Sequence, residues 1–228
     1  MLDIEGTTTP ISFVYDVLFP YAREHLDEYC ARADKDEAVA AAISQLREEA
    51  SVESRVSGKE MPDFGNGAPF ARYLMDMDRK STGLKMLQGL IWEKGYAEGS
   101  LKSEVFDDVP VALKKWREAG IRLRIFSSGS VLAQKLLFGH TKFGDLLEHF
   151  EGYHDTTTGP KRVADSYRAI AGAFGLPESE ILFLSDVVEE LDAAAQAGMK
   201  TGLMVRPGNK EADPGVHPVH KSFQELTD

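Results

Sequence analysis

The spacing of apolar residues changes near residue 100 of the 228-residue chain. Before that point apolar side chains recur three to four residues apart, which predicts helices between residues 11 and 50 and over residues 68–95, with a break near 81–83. Residues 51–67 contain several glycines and a proline, and this composition predicts a loop. Residues 11–99 are therefore predicted to be helical outside this loop.

After residue 100 short apolar runs alternate with amphipathic stretches. The predicted strands cover residues 121–126, 150–153, 181–184 and 201–205. The predicted helices cover residues 109–119, 131–138, 162–174 and 188–197. This alternation is typical of a parallel sheet that is covered by helices on both faces.

The two halves predict one architecture. We expect an α/β fold with a doubly wound parallel sheet, whose first strand lies at the very start of the chain, and an inserted helical cap. The core is predicted to comprise residues 1–11 and 101–228, and the cap residues 12–100.

The net charge of −11 disfavours a nucleic-acid partner, because nucleic-acid binding needs a basic face. No stretch approaches the ~20 apolar residues that a membrane span needs, and the start carries no secretory signal pattern. The single cysteine, Cys30, excludes an intramolecular disulfide and is typical of a reducing compartment. We therefore expect a cytoplasmic protein without a membrane or nucleic-acid partner. Nothing in the sequence demands more than a monomer.

Acidic residues follow two of the predicted strands, where ligands bind in sheets of this kind. Asp3 and Glu5 lie at the end of the first strand, and Asp186 follows residues 181–184, with Glu189 and Glu190 close behind. A carboxylate can act as a nucleophile and a second one as general acid and base. Carboxylates beside a phosphate need a cation, and Mg²⁺ suits oxygen ligands. The alternatives are that Asp3 and Glu5 are surface acids and that Asp186 caps a helix.

Three further residues could bind a phosphate. Ser127 and Ser128 stand between a strand and a helix, where hydroxyl and N–H groups bind anions. Lys161 follows a Gly-Pro pair and could place its ammonium on a phosphate. The alternatives are an ordinary helix cap for the serines and a solvated surface side chain for the lysine.

These residues resemble the four motifs of the haloacid-dehalogenase superfamily in order and spacing. Longer strings, DIEGTTTPISFV, DRKSTGLKMLQGLIW, IFSSGSVLAQKLLF and GPKRVADSY, resemble the enolase-phosphatase family of methionine salvage. Glu5 is a marker of that family, because most phosphatases of the superfamily carry aspartate at this position.

The resemblance implies a bifunctional enzyme with one Mg²⁺ per chain and a small phosphate substrate. It would enolise 2,3-diketo-5-methylthiopentyl 1-phosphate and then remove the phosphate to give the acireductone. By this resemblance Asp3 would be nucleophile and metal ligand, and Glu5 general acid and base with its backbone carbonyl on the metal. Ser127 and Ser128 would bind the phosphoryl oxygens, Lys161 would neutralise Asp3 and the phosphate, and Asp186 would complete the metal site.

In the cap, two neighbouring stripes share one predicted helix. Leu84, Leu87 and Ile91 form an apolar stripe, and Lys85, Gln88 and Trp92 form the second. We hypothesise that one stripe packs and that Lys85 and Gln88 help to close over the substrate. The alternative is that the second stripe is only the exposed edge of a packed helix and has no contact with substrate.

Only Met1 and Leu2 precede Asp3, whereas buried strands usually run about five to six residues. We expect a strand this short to lower stability and to risk misplacing Asp3. Three other functions stay open: a phosphatase for a sugar phosphate, a metal-independent dehalogenase, and an inactive binding or scaffold protein. The sequence leaves open which group removes the carbon-bound proton, and a structural role is the expectation for Arg206.

Overall fold

The structure, a computed structural model, describes residues 1–56, 61–79 and 81–227. The chain divides into two compact units. The core unit comprises Met1–Tyr15 and Lys102–Asp228, and the helical unit comprises Asp16–Leu101. These boundaries lie within a few residues of those drawn from the sequence pattern.

The helical unit contains four α-helices in its described part. A π-helical segment, Phe13–Leu18, leads along the chain into the first of them. The helices are α1 (Phe19–Cys30), α2 (Glu37–Val56), α3 (Ala68–Asp76) and α4 (Thr82–Ala97). Ser81 begins α4, because its hydroxyl accepts a hydrogen bond from the N–H of Leu84 at 2.9 Å. The predicted break near 81–83 therefore lies between Asp76 and Thr82.

The predicted loop over residues 51–67 is wrong at its start. Residues 51–56 continue α2, because they contain neither glycine nor proline and a helix that has already formed adds residues easily. Residues 57–60 lie outside the described part of the chain, as does Lys80 in one of the strings that carries the family resemblance. Non-helical backbone is described for residues 61–67.

The core unit holds a parallel sheet. Its strands are β1 (Arg124–Phe126), β2 (Gly152–His154), β3 (Leu182–Ser185), β4 (Lys200–Met204) and β5 (Val219–His220). Strand β1 pairs with β2, and β4 lies between β3 and β5, with each pair parallel. The short β5 was not predicted, since two residues are too few to form a pattern.

Leu2 joins the two halves of the sheet. It bridges Ile125 of β1 on one side and Leu184 of β3 on the other. The N–H of Leu2 donates to the carbonyl of Arg124 and the N–H of Asp3 donates to that of Leu184, both at 2.9 Å. The predicted first strand is therefore a single bridged position at the centre of the sheet. The expectation that a strand this short risks misplacing Asp3 is wrong, because β1 binds the backbone of Leu2 and β3 binds the N–H of Asp3.

The remaining helices of the core unit alternate with the strands. They are α5 (Asp108–Glu118), α6 (Val131–Gly139), α7 (Ala164–Phe174) and α8 (Val188–Gln196), and short 3-10 turns lie at Leu147–His149, Glu178–Glu180 and Phe223–Leu226. Side chains from α7, α8, β3 and β4 form a buried apolar cluster that includes Tyr167, Ile170, Phe183, Leu191 and Leu203. This packing confirms the predicted α/β core with parallel strands.

No helix within residues 1–56, 61–79 or 81–227 combines the length and the apolar character that crossing a membrane requires. Cys30 is buried in the helical unit, and burial raises the pKa of its thiol to about 11. The thiol therefore stays protonated at neutral pH, as is typical of an unreactive buried cysteine.

Candidate active site

Asp3 lies in a buried polar cluster at the carboxyl edge of the sheet, with only 4% of the residue exposed. Its Oδ1 accepts a hydrogen bond from the N–H of Ile4 at 2.8 Å and lies 2.7 Å from the ammonium of Lys161. Its Oδ2 accepts a hydrogen bond from the hydroxyl of Ser185 at 3.0 Å. The alternative of an exposed surface acid is therefore wrong for Asp3.

Lys161 is buried with its ammonium between two carboxylates. Its Nζ lies 2.7 Å from Asp3 Oδ1 and 2.5 Å from Glu190 Oε2. Burial alone would lower the pKa of Lys161, but the charges of Asp3 and Glu190 outweigh it, so this pKa is raised and the ammonium persists. The alternative of a solvated surface lysine is wrong.

The backbone before α7 fixes this lysine. Gly159 has a φ of +147°, and a Cβ there would lie 2.3 Å from the hydroxyl oxygen of Ser166. Because that space is empty, the hydroxyl can donate to the carbonyl of Pro160 at 2.8 Å. The hydroxyl of Tyr167 donates to the carbonyl of Lys161 at 2.6 Å. The Gly-Pro-Lys sequence is thus held on both sides of the lysine.

Glu190 was noted in the sequence but given no role. It lies on α8, is buried, and contacts both Lys161 and the hydroxyl of Ser185, whose oxygen lies 3.1 Å from Glu190 Oε2 and whose single hydrogen is shared with Asp3. Burial and the charge of Asp3 raise the pKa of Glu190. Helical spacing could have predicted that Glu190 faces the core. It lies three and four residues before the buried Ala193 and Ala194, whereas its neighbour Glu189 is exposed.

Asp186 is half-buried beside the same cluster. Burial and then the charge of Asp3 raise the pKa of Asp186 to about 7, and the charge of Glu5 adds to the effect. A Cβ on Gly6 would lie 2.2 Å from Asp186 Oδ2, so the carboxylate packs directly on the glycine. Among the described residues no side chain caps α8, which follows Val187. The helix-cap alternative for Asp186 is therefore wrong.

Glu5 sits on the turn that follows Asp3. Glu5 and Thr9 are bridged, the N–H of Gly6 donates to the carbonyl of Thr9 at 2.8 Å, and the N–H of Thr8 donates to that of Ile4 at 3.0 Å. Gly6 has a φ of +66°, a conformation that glycine adopts without a Cβ clash. The turn keeps Glu5 half-buried and near enough to Asp186 to affect its pKa.

Ser127 and Ser128 follow β1, next to the central strand position. The N–H of Phe126 donates to the carbonyl of Leu2 at 3.0 Å, so Ser127 stands beside Asp3 at the same edge of the sheet. The buried Ser127 hydroxyl accepts from the N–H of Gly129 at 3.2 Å. Helix α6 is capped by Ser130, whose hydroxyl accepts from Ala133. The ordinary-cap alternative is therefore wrong for Ser127 and Ser128, and a phosphate role stays a prediction.

Lys85 and Gln88 belong to α4 of the helical unit. Leu84, Leu87 and Ile91 are buried, and so are Gln88 and Trp92, while Lys85 is half-buried. The Trp92 N–H donates to the carbonyl of Leu18 at 2.9 Å inside the same unit. The second stripe is thus largely packed, and Trp92 has a structural role. A substrate role for Lys85 and Gln88 stays a prediction.

The donor set of the core suits Mg²⁺. Among the described residues no three His, Cys, Asp or Glu side chains gather at metal-binding distances. Asp3 and Asp186 nevertheless sit close enough that the charge of Asp3 raises the pKa of Asp186. Mg²⁺ is usually held by one or two carboxylates, with waters and substrate phosphate as the other ligands. A buried and a half-buried carboxylate that repel one another therefore fit this cation.

A sequence model of the haloacid dehalogenase-like hydrolases matches residues 1–198. The chain is 48% identical to enolase-phosphatase E1 of Synechococcus elongatus, over 99% of this chain and 96% of that protein. It is 46% identical to enolase-phosphatase E1 of Pseudomonas aeruginosa strain UCBPP-PA14, over 99% and 96%. The UTR4 protein of Saccharomyces cerevisiae superposes with a TM-score of 0.80 at 37% identity, covering 98% of this chain and 96% of that one.

CbbY of Rhodobacter sphaeroides, at 17% identity and a TM-score of 0.59, shares the fold alone, over 99% of this chain and 94% of that one. The family model and the near full-length relatives agree with the motifs quoted from the sequence. The chain therefore belongs to the haloacid dehalogenase-like hydrolases and, within them, to the enolase-phosphatase E1 family.

Proposed function

We propose that the chain is a Mg²⁺-dependent enolase-phosphatase of methionine salvage. It would convert 2,3-diketo-5-methylthiopentyl 1-phosphate to the acireductone 1,2-dihydroxy-3-keto-5-methylthiopentene and phosphate. The observation that carries the proposal is the buried contact of Asp3 with Lys161 at the carboxyl edge of the sheet, in a chain 48% identical to an enolase-phosphatase. We further predict a cytoplasmic monomer that binds neither nucleic acid nor membranes.

In the phosphatase step a carboxylate oxygen of Asp3 attacks phosphorus, and the bond between phosphorus and the substrate oxygen breaks. Glu5 donates its proton to that leaving oxygen. Glu5 then takes a proton from water, whose oxygen attacks the phosphorus of the aspartyl-phosphate and releases inorganic phosphate and Asp3. The ammonium of Lys161 offsets negative charge on Asp3 and on the transferred group throughout.

Mg²⁺, when bound by Asp3, Asp186 and the backbone carbonyl of Glu5, supplies positive charge to the phosphoryl oxygens. Ser127 and Ser128 donate hydrogen bonds to those oxygens. Lys85 and Gln88 are proposed to contact the diketone. The enolisation step needs a base for a carbon-bound proton, and Glu5 and groups of the helical unit remain the candidates.

A steady-state assay of the diketo phosphate with and without Mg²⁺, beside a panel of sugar phosphates and a haloacid, tests this function. We expect turnover of the diketo phosphate that a chelator abolishes, and its loss in Asp3→Asn. A fluoroberyllate adduct or a phosphoryl group on Asp3 would identify the nucleophile. Faster turnover of a sugar phosphate would overturn the substrate assignment, and activity on the haloacid without metal would favour a dehalogenase. A folded protein inactive on all of them would favour the scaffold alternative.

A further inference from the structure

The loop that follows β4 reaches back to the turn that follows the nucleophile. The Asn209 amide nitrogen donates to the carbonyl of Gly6 at 2.9 Å and to that of Met204 at 3.1 Å. The Nε of Arg206 donates to the carbonyl of Thr7 at 3.1 Å. Two consecutive carbonyls of the turn are therefore bound by two side chains that lie three positions apart in one loop. Asn209 also connects the turn to the end of β4.

Arg206 is itself rigidly held. Its guanidinium lies 2.8 Å from Asp108 Oδ2 and 4.7 Å from the ring centres of both Phe106 and Phe223. Asp108 also accepts hydrogen bonds from the Ser222 hydroxyl at 2.8 Å and the Phe223 N–H at 2.6 Å. Burial opposes ionisation of Asp108, but these donors lower its pKa overall, so the buried ion pair persists. The start of the loop is fixed before it reaches Asn209.

The orientation of the Asn209 amide follows from its partners. Both acceptors take hydrogens from the amide nitrogen, so the amide oxygen must face the other way. That Oδ1 is buried and has no hydrogen-bond partner among the described residues. A Cβ on Gly6 would lie 2.9 Å from it and 2.2 Å from Asp186 Oδ2. The Asn209 amide oxygen and the Asp186 carboxylate therefore both pack on the face of Gly6 where a Cβ would lie.

We propose that Asn209 is a positioning residue for the metal and acid-base geometry, an inference that rests on the proposed function. By holding the Gly6 carbonyl it fixes the peptide that follows Glu5, and through Gly6 it fixes where Asp186 packs. Hydrogen bonds inside the turn leave the Gly6 and Thr7 carbonyls without a donor, and a buried carbonyl without a donor is unfavourable. Without Asn209 the turn would rotate to satisfy its carbonyl.

The chemistry needs an amide at this position. Aspartate has the same shape but offers acceptors to the carbonyls of Gly6 and Met204, and it adds a negative charge beside Asp186. Asn209→Asp should therefore perturb the site more than Asn209→Ala. Removing a residue that orients a metal ligand without binding the metal typically lowers metal affinity or activity by about 10–100-fold.

The experiment compares wild type, Asn209→Ala, Asn209→Asp and a control, Thr201→Val. The control loses the 2.8 Å contact between the hydroxyl of Thr201, on β4, and Nδ1 of His217, without touching the turn. Three experiments are made on each protein. Electron paramagnetic resonance gives the Mn²⁺ dissociation constant of the substrate-free protein, and hydrogen exchange gives the amide exchange rates of residues 4–9 in the metal-free protein. Steady-state kinetics give kcat and KM with the diketo phosphate.

We expect Asn209→Ala to weaken Mn²⁺ binding about tenfold or more and to lower kcat with KM changed less than about twofold. Exchange in residues 4–9 should accelerate, and Thr201→Val should show none of these effects even if its melting temperature falls as far. Equal Mn²⁺ affinity and exchange in Asn209→Ala and the control would overturn the proposal. If wild type fails to turn over the diketo phosphate, the proposed function falls while the Mn²⁺ and exchange data still decide the role of Asn209.

Discussion

The ammonium of Lys161 lies 2.5 Å from Glu190 Oε2, and these two side chains are 6% and 11% exposed. The same ammonium also forms an ion pair with Asp3 Oδ1 at 2.7 Å. One positive charge is thus shared by two buried carboxylates, and Asp186 adds a third acid nearby. The metal-free site therefore carries excess negative charge, which a proton or a divalent cation would offset.

Lys161→Met should both inactivate and destabilise the protein. The change leaves Asp3 and Glu190 buried without a counter-charge, a situation that typically costs about 3–5 kcal/mol. Loss of charge stabilisation in the transition state should lower kcat at least about a hundredfold. Urea unfolding in chelator and steady-state kinetics measure the two effects. Lys142→Met, which removes an exposed pair with Asp107, is the control and should change both quantities little.

Glu190→Ala should have a smaller effect on stability than Lys161→Met, because Lys161 keeps Asp3 as its partner. We expect kcat to fall about tenfold, since a supporting contact that orients the ammonium is lost. Glu189→Ala, at the exposed neighbouring position, is the matched control. Identical kinetics for the two variants would show that Glu190 does not orient Lys161.

The sequence predicted the strand and helix order of the core and the carboxyl-edge position of Asp3, because alternation and strand-end polarity are local signals. It could not predict that Lys161 is shared with Glu190, since the two residues meet only once α7 and α8 pack on the sheet. Asn209 was missed for the same reason, because its partner Gly6 is 203 positions away. The end of α2 was misplaced because helix propagation outweighs the weak helix propensity of residues 51–56.

Gly6→Ala should lower activity more than the backbone strain of a non-glycine residue at positive φ would by itself. Its φ is +66°, and the new Cβ would meet Asp186 Oδ2 at 2.2 Å, so the carboxylate must move. Gly120→Ala is the matched control, because Gly120 has a φ of +77° with no atom within 4 Å of the Cβ position. Melting temperatures of the two variants give the shared backbone effect, about 1–2 kcal/mol. Mg²⁺-dependent kcat should fall only in Gly6→Ala, and similar activity in both would show that Asp186 does not depend on this packing.

Gln88→Ala tests the predicted role of the helical unit in substrate binding. If the amide contacts the diketone, KM for the diketo phosphate should rise or kcat should fall, while hydrolysis of a small generic phosphate stays unchanged. Met86→Ala changes an exposed residue on the same helix and controls for helix effects. Parallel changes with both substrates would indicate that the buried Gln88 serves packing only.

The contribution of Asp186 to the stability of the metal-free protein should fall as pH rises from about 4 to 7. Burial and the charge of Asp3 raise the pKa of Asp186 to about 7, far above its ordinary value of 3.8. In this window the folded state holds a proton that the unfolded state has released, so the free energy of unfolding decreases with rising pH. Asp108, whose pKa is lowered, acts in the opposite direction at more acidic pH.

The difference in free energy of unfolding between wild type and Asp186→Asn reports the titration of this carboxyl alone, because the other titrating groups are present in both proteins. We expect unfolding in urea with chelator to show Asp186→Asn gaining stability relative to wild type between pH 5 and pH 8. Mg²⁺ at pH 8 should then stabilise wild type more than the variant, because ligand binding stabilises the folded state in proportion to affinity and the variant lacks the proposed ligand carboxylate. If the free energies of unfolding of wild type and variant differed by the same amount at every pH, the pKa of Asp186 would be the same in the folded and unfolded protein. The charge of Asp3 would then not repel the Asp186 carboxylate, and a cation would relieve no repulsion between them.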